Sequence, residues 1–244
     1  MSPDEYRKMA AVEDTMWYYR ALHRHVRRCL ELRLQPGRGE VLDAGCGTGG
    51  LLQRLHEARP GWRLRGVDFS PEACALARDR GGAEISEASI LALPFRDGEF
   101  DAVVSCDVIC QVEDEAAALR ELVRCTKPGG VIVLTMPAYA WMYSYHDATV
   151  GNRRRYTRGE VVALLRTAGL SVAWSTYWNT LPFPLAVLRR KLFSARAGTS
   201  DVRLYPAPLE AIFGGMMALE YHWFRAGWTL PFGSSVLAVG RKPE

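Results

Sequence analysis

No C-x-x-C pair occurs among the six cysteines (Cys29, Cys46, Cys74, Cys106, Cys110 and Cys125). Most of them fall in predicted strands or helices, so they read as free thiols of a reducing, cytoplasmic compartment. No uncharged run reaches the ~18 residues that a membrane span needs. Residues 1–8 are charged rather than apolar, which argues against a signal peptide. There is no internal repeat and no low-complexity tract. A net charge of +4 is too mild to imply a polyanionic partner by itself. What is present is a chain of 244 residues, 48% hydrophobic and 24% charged. These are the proportions of one soluble globular domain with a full core.

The most informative stretch is Val41-Leu42-Asp43-Ala44-Gly45-Cys46-Gly47-Thr48-Gly49-Gly50. Its apolar start reads as a strand, and Leu51 to Leu55 opens a helix. Glycines between them let a ligand lie against bare backbone, as in the first βα turn of a nucleotide-binding α/β unit. Gly45, Gly47 and Gly50 also satisfy the G-x-G-x-x-G spacing of a dinucleotide site. Asp43 argues against that assignment, because a carboxylate so close to the loop repels a pyrophosphate. It attracts a cation instead, such as the ammonium and sulfonium of S-adenosylmethionine. Asp68 ends a second predicted strand about 20 residues further on, where an acid accepts ribose hydroxyls.

These residues resemble class I S-adenosylmethionine-dependent methyltransferases, in the branch that holds many small-molecule enzymes. Val41 to Gly49 is similar to that family's first motif, and Gly66 to Ser70 to its ribose-binding strand end. Leu93-Pro94-Phe95 resembles the adenine loop, Phe100 to Val104 the fourth strand, and Lys127-Pro128-Gly129-Gly130 the turn into the fifth. The likeness is close over residues 40–136 and loose elsewhere. It implies a Rossmann-like, mostly parallel seven-stranded sheet with helices on both faces, an antiparallel last strand and a helical cap. It also implies one domain, with an N-terminal helical lid (1–32), a cofactor-binding core (36–136), an active-site loop (137–157) and a cap insertion (180–230).

Patterning agrees with that organisation. Met9, Val12, Met16, Tyr19, Leu22, Val26 and Leu30 recur in steps of three and four, which predicts one amphipathic helical stretch. Strand and helix patterns alternate from 40 to 136. Ser70-Pro71 starts a helix that Gly81-Gly82 ends. A long loop is expected from Pro137 to Tyr156, and Thr157 caps the helix after it. Ser171 to Trp178 and Ser235 to Val239 read as the last strands, separated by helical stretches near 185–193 and 209–224.

The resemblance assigns the cofactor to backbone at Gly45, Gly47 and Gly49, with Asp43 near its ammonium and Asp68 on the ribose. Phe69 covers one adenine face, Ser89 and Ile90 hold the adenine amine, and Cys106 ends the fourth strand beside the sulfonium. Related quinone-pathway O-methyltransferases carry acids and a histidine where this chain has Cys110 and Gln111, so no metal is expected. The segment Pro137 to Asp147 follows the fifth strand, at the end where ligands of open α/β sheets sit. His146 is the candidate general base, since imidazole titrates near neutral pH. Asp147 is a candidate to orient it; the alternative is a histidine that pins the loop by hydrogen bonds. Tyr139, Trp141 and Tyr145, with Tyr19 from the first helix, are candidates for an aromatic acceptor pocket. Arg154 is a candidate clamp for an acidic group on the acceptor.

The function expected is methyl transfer to an O or N nucleophile of a small, partly apolar or aromatic molecule, a natural-product or lipid-like intermediate. The product would be S-adenosylhomocysteine. Alternatives are an RNA or protein methyltransferase and a cofactor-binding protein without turnover. The N-P-P-Y-type tetrapeptide of base-amine methylases is absent, and Arg153 to Arg155 is a small basic face for nucleic acid. The cluster Arg189-Arg190-Lys191, set among leucines, reads as part of a packed cap helix, or as a peripheral membrane contact. The oligomeric state does not follow from the sequence.

Overall fold

The computed structural model describes residues 1–192 and 200–244, with backbone alone at 191 and 192. Seven strands form one sheet: β1 (Gly39–Ala44), β2 (Trp62–Asp68), β3 (Glu84–Glu87), β4 (Phe100–Cys106), β5 (Thr126–Pro137), β6 (Ser171–Trp178) and β7 (Ser235–Arg241). Their order is β3-β2-β1-β4-β5-β7-β6. The pairs from β3 to β5 are parallel, and β7 runs antiparallel to both neighbours. This is the expected Rossmann-like sheet with its antiparallel last strand. The order reverses between β1 and β4, so the carboxyl ends of these strands flank an open crevice.

Alternation along the strands divides the core into two layers. Leu42, Val103 and Ile132 face Leu119 and Leu122 of α5 (Glu115–Cys125) and Val161 and Leu165 of α7 (Arg158–Thr167). Val41, Ala102, Val104 and Val133 face the other way. They pack on Leu51, Leu52 and Leu55 of α3 (Gly50–Ala58), with Val26 and Leu30 of α2 (Trp17–Glu31) in the same cluster. Helix α4 (Pro71–Arg80) starts where expected, with the Ser70 hydroxyl accepting from Ala73 N–H and Pro71 in its first turn.

Two expectations are corrected. The N-terminal stretch is two helices, α1 (Pro3–Val12) and α2, broken at residues 13–16. The apolar phase runs unbroken through Met16, so periodicity concealed the turn, where the Glu13 side chain is buried. The segment 137–157 is not an unstructured loop. It holds a 3₁₀ turn at Ala140–Met142 and the short helix α6 (Tyr145–Val150). Ser144 and Asp147 form a reciprocal capping box for α6, a signal present in the sequence.

Between β6 and β7 lie α8 (Phe183–Leu192) and α9 (Ala207–Arg225), close to the expected stretches. Phe193, predicted to end the first of these, lies outside the described residues, as do the Lys191 and Leu192 side chains. Helix α9 is held to the sheet by Glu220, which is 1% exposed. Its carboxylate accepts the N–H groups of Asn179 at 2.6 Å and Thr180 at 2.8 Å, at the end of β6. Helix α9 also exposes Leu209, Ile212, Leu219 and Trp223, spaced as one helical stripe. No helix among the described residues is long and apolar enough to cross a membrane.

Candidate cofactor and acceptor site

A cavity of about 700 Å³ opens at the carboxyl ends of β1, β2, β4 and β5. Its volume is within the usual range of ligand pockets. One half is built from the glycine turn. Gly45 and Gly47 line it with φ of 91° and 53°, values that favour glycine. A Cβ on Gly45 would stand 2.3 Å from Val108, so the close approach requires a bare backbone as well. Gly49, also in the left-handed region, is absent from the wall. It sits against Ala77 of α4, and its role is to start α3.

Asp43 lies beneath this turn, 3% exposed, and its Oδ1 has no hydrogen-bond partner among the described residues. Burial, followed by the nearby Glu13 and Asp68 carboxylates, pushes its pKa up to about 8. An acid so destabilised as an anion is a site for a cation. Glu13 adds a second buried carboxylate to the same wall, held by the Thr48 hydroxyl and by Arg80 at 3.2 Å. The sequence reading did not single out Glu13, because only the fold brings residue 13 to the glycine turn.

Asp68 ends β2, where its Oδ2 accepts Gly47 N–H at 3.0 Å. Its Oδ1 accepts Ser70 N–H at 3.0 Å and the Tyr6 hydroxyl at 3.1 Å. Phe69, beside it, is 60% exposed and forms part of the wall, as do Ser89 and Ile90. The Ser89 hydroxyl also accepts Leu91 N–H at 3.2 Å, which fixes the turn there.

At mid-cavity Cys106 and Asp107 close the end of β4, with Tyr18 and Tyr19 opposite. Burial pushes the Cys106 thiol well above its ordinary range, so it stays protonated. Asp107 has a φ of 57°, uncommon for a side-chain-bearing residue. The conformation is held by Asp107 N–H donating to Thr135 O and by Gln111 Nε2 donating to Asp107 O. The Tyr18 hydroxyl donates to Asp107 Oδ2 at 3.1 Å, and burial raises the carboxyl pKa. A strained, half-buried acid at a crevice is a feature of functional sites.

The other half contains His146, Arg155, Arg189, Arg190 and Asp201 among apolar residues. His146 is half-buried on α6, and burial lowers its pKa. Its Nδ1 accepts Asp201 N–H at 3.1 Å, so the neutral ring carries its proton on Nε2. Asp147 does not orient it. That carboxylate caps α6 and takes Asn152 Nδ2 at 3.0 Å and Arg155 Nε at 2.8 Å.

Four expected acceptor residues stand outside the cavity wall. Tyr139 stacks on Tyr177 and Trp141, a packing cluster that Phe183 completes. The Tyr145 hydroxyl donates to Asp201 at 2.8 Å and so supports the wall from behind. Arg154 points outward, donating to Glu113 O and pairing with Glu115 at 2.9 Å. Its neighbour Arg155 is the one turned inward, because the segment is extended and successive side chains alternate. Among the described residues, no three His, Cys, Asp or Glu side chains group as a metal site.

A glycine turn over a buried acid, with a second acid at the next strand end, defines a nucleoside-cofactor site that also receives a cation. Both features fit S-adenosylmethionine, whose ammonium the partnerless Asp43 oxygen suits and whose ribose suits Asp68. Residues 42–134 match the methyltransferase domain family. A demethylmenaquinone methyltransferase of Thermus thermophilus is 41% identical over 117 residues, which cover 46% of this chain and 53% of the relative. The chain spans about half the length of the curated relatives it matches. A solved geranyl diphosphate methyltransferase superposes with a TM-score of 0.64 at 19% identity, over 92% of this chain and 78% of that one. A Thermotoga maritima S-adenosylmethionine-dependent methyltransferase gives 0.60 at 19% identity, over 98% and 95%. Over residues 42–134 the chain is similar to class I S-adenosylmethionine-dependent methyltransferases, and its sheet has the strand order of their Rossmann-like fold.

Proposed function

We propose that this protein transfers a methyl group from S-adenosylmethionine to an oxygen or nitrogen of a small, partly apolar molecule. The observation that carries the reading is a single cavity with two unlike halves, acids and bare glycine backbone in one, cations and apolar side chains in the other. When bound, the cofactor supplies a methyl group on a positively charged sulfur, which departs as a neutral thioether. The protein's own tasks are alignment, which contributes up to ~7–11 kcal/mol, and removal of a proton, typically ~10²–10⁴-fold.

In this reading Asp43 holds the ammonium, Asp68 the ribose hydroxyls, and Phe69, Ser89 and Ile90 the adenine. Asp107 receives the proton of a hydroxyl or amine acceptor, which its raised proton affinity supports. His146 donates from Nε2 and positions the acceptor, with Tyr19 beside the transfer point. Helices α1 and α2 act as a lid, since Tyr6, Met9 and Glu13 lie over the donor half. The apolar stripe on α9, with exposed Arg203 and Arg225 nearby in sequence, supports peripheral contact with an anionic lipid surface. Six unpaired cysteines support a cytoplasmic location.

Calorimetric titration with S-adenosylhomocysteine and with NAD tests the donor. A methyl-transfer screen over phenol, amine, carboxylate, RNA and protein acceptors tests the rest. Absence of S-adenosylhomocysteine binding ends the reading. Binding without turnover on any acceptor favours a cofactor-binding protein that does not catalyse.

A further inference from the structure

The acceptor half of the cavity has more cations than anions to answer them. Arg155, Arg189 and Arg190 all form part of its wall. Asp147 takes Arg155 at 2.8 Å, and Asp201 is shared between Arg189 at 2.6 Å and Arg190 at 3.5 Å. Two carboxylates therefore face three guanidinium groups. His146 adds no compensation, and residues 191–199 contain no acid. The next carboxylate toward the donor, Asp107, is engaged by the Tyr18 and Thr135 hydroxyls, and the buried Glu5 behind His146 is answered by Lys8 at 2.5 Å.

Arg155 and Arg190 also act on each other. After burial, the charge on Arg190 is the main cause that lowers the pKa of Arg155. Arg155 is 7% exposed, so this repulsion is poorly screened by water. Its Nε donates to Asp147 and its Nη1 to Ala138 O at 2.9 Å. Its Nη2 makes no hydrogen bond among the described residues. Arg190 donates Nη1 to Met142 O at 3.2 Å, while its Nη2 reaches Asp201 only at 3.5 Å. Two like charges with unused donors, set in one wall, are stabilised by an anion between them. Around the pair the wall is apolar, with Val150, Pro182, Leu185 and Val202.

We propose that this end of the cavity is an anion subsite, in which Arg155 and Arg190 clamp a carboxylate or phosphate group carried on an apolar body. The group anchors the methyl acceptor, an assignment that rests on the methyl-transfer reading, while the anion selectivity does not. Guanidinium forks match two-oxygen anions, and the surrounding side chains match a hydrocarbon rather than a sugar. The acceptor class is thus an amphipathic acid, with its nucleophile on the side facing Asp107.

Calorimetry on the S-adenosylhomocysteine-loaded protein, and in parallel on the ligand-free protein, with decanoate, decyl phosphate, decanol and inorganic phosphate tests this. Decanoate or decyl phosphate should bind at least tenfold more tightly than decanol, and the tighter of the two identifies the anion. Arg190→Gln should abolish that preference while leaving decanol and S-adenosylhomocysteine affinities within twofold. Arg190→Lys should recover part of it, and melting curves confirm that both variants are folded. Equal binding of decanol and the two anions overturns the subsite, and so does a preference that survives Arg190→Gln. Inorganic phosphate binding as tightly as decyl phosphate overturns the apolar half of the proposal. Anion preference without S-adenosylhomocysteine binding leaves the subsite standing and removes the methyl-transfer reading instead.

Discussion

The Tyr6 hydroxyl donates to Asp68 Oδ1 across 3.1 Å, joining the first helix of the chain to the end of β2. This is the same carboxylate that the proposed ribose contact uses, so α1 and the cofactor share an acceptor. Both residues are buried, at 3% and 5% exposure. Tyr6→Phe should loosen α1, and the rates of S-adenosylhomocysteine association and dissociation should each rise several-fold in stopped-flow measurements. Unchanged rates would show that α1 does not gate the donor half. Asp68→Ala should weaken the same ligand by ~10- to 100-fold, in line with hydrogen bonds to a charged group of about 1.5–3 kcal/mol.

The pKa of Asp43, about 8 when folded against 3.8 ordinarily, sets a direction for pH dependence. The folded, ligand-free protein keeps a proton that the unfolded chain loses near pH 4. This contribution to stability is complete below pH 4 and is lost as pH rises toward 8, by up to ~1.4 kcal/mol per unit. A cationic ligand favours the ionised acid, so S-adenosylhomocysteine affinity should rise with pH between 6 and 8, by at most about tenfold per unit. Asp43→Asn should flatten both trends. Proton release, read by calorimetry in buffers of different ionisation enthalpy, checks the count.

His146 distinguishes two chemistries. A general base there predicts a loss of ~10²–10⁴-fold in kcat for His146→Ala. A donor from Nε2 predicts about tenfold, largely in KM, with most activity restored by His146→Gln. The hydrogen bond from Asp201 N–H to Nδ1 favours the second outcome. Kinetics of the two variants over pH 6–8 decide between them.

At Gly45, space and backbone conformation act together. Gly45→Ala should destabilise the protein by about 2–5 kcal/mol in urea unfolding, of which about 1–3 comes from the overlap with Val108. Adding Val108→Ala should recover part of the loss. The remainder, about 1–2 kcal/mol, reflects the left-handed φ that alanine disfavours.

The exposed stripe of α9 gives a test of surface contact. Ile212→Ser with Leu219→Ser should leave the melting temperature unchanged and lower co-sedimentation with phosphatidylglycerol vesicles several-fold. Equal sedimentation would remove the lipid contact and leave the cavity assignments untouched.

The sequence made the donor half legible and the acceptor half much less so, for a physical reason. Gly45, Gly47, Asp43 and Asp68 lie at strand ends, where chain direction alone fixes their place around the crevice. Glu13, Tyr18 and Arg190 reach the cavity through the packing of helices and their ends, and Arg155 through the extended stretch between α6 and α7, neither of which a local pattern encodes. Aromatic density misled at Tyr139 and Trp141, because ring area is as useful for packing on Tyr177 as for holding a ligand. One residue separates the outward Arg154 from the inward Arg155, and extended backbone reverses the side chain at each step.

Glu220 has a consequence for how this protein can change. A single carboxylate, through Asn179 and Thr180, registers α9 to the end of β6. Among the described residues between that turn and Glu220, none belongs to a strand of the sheet. Among its described residues the segment 181–219 can therefore vary, so long as Glu210, which accepts Trp17 N–H, and Met217, which is buried in the core, are kept. New acceptor walls can be grafted there, provided that Asn179, Thr180 and Glu220 stay, while the methyl-donor half is inherited unaltered.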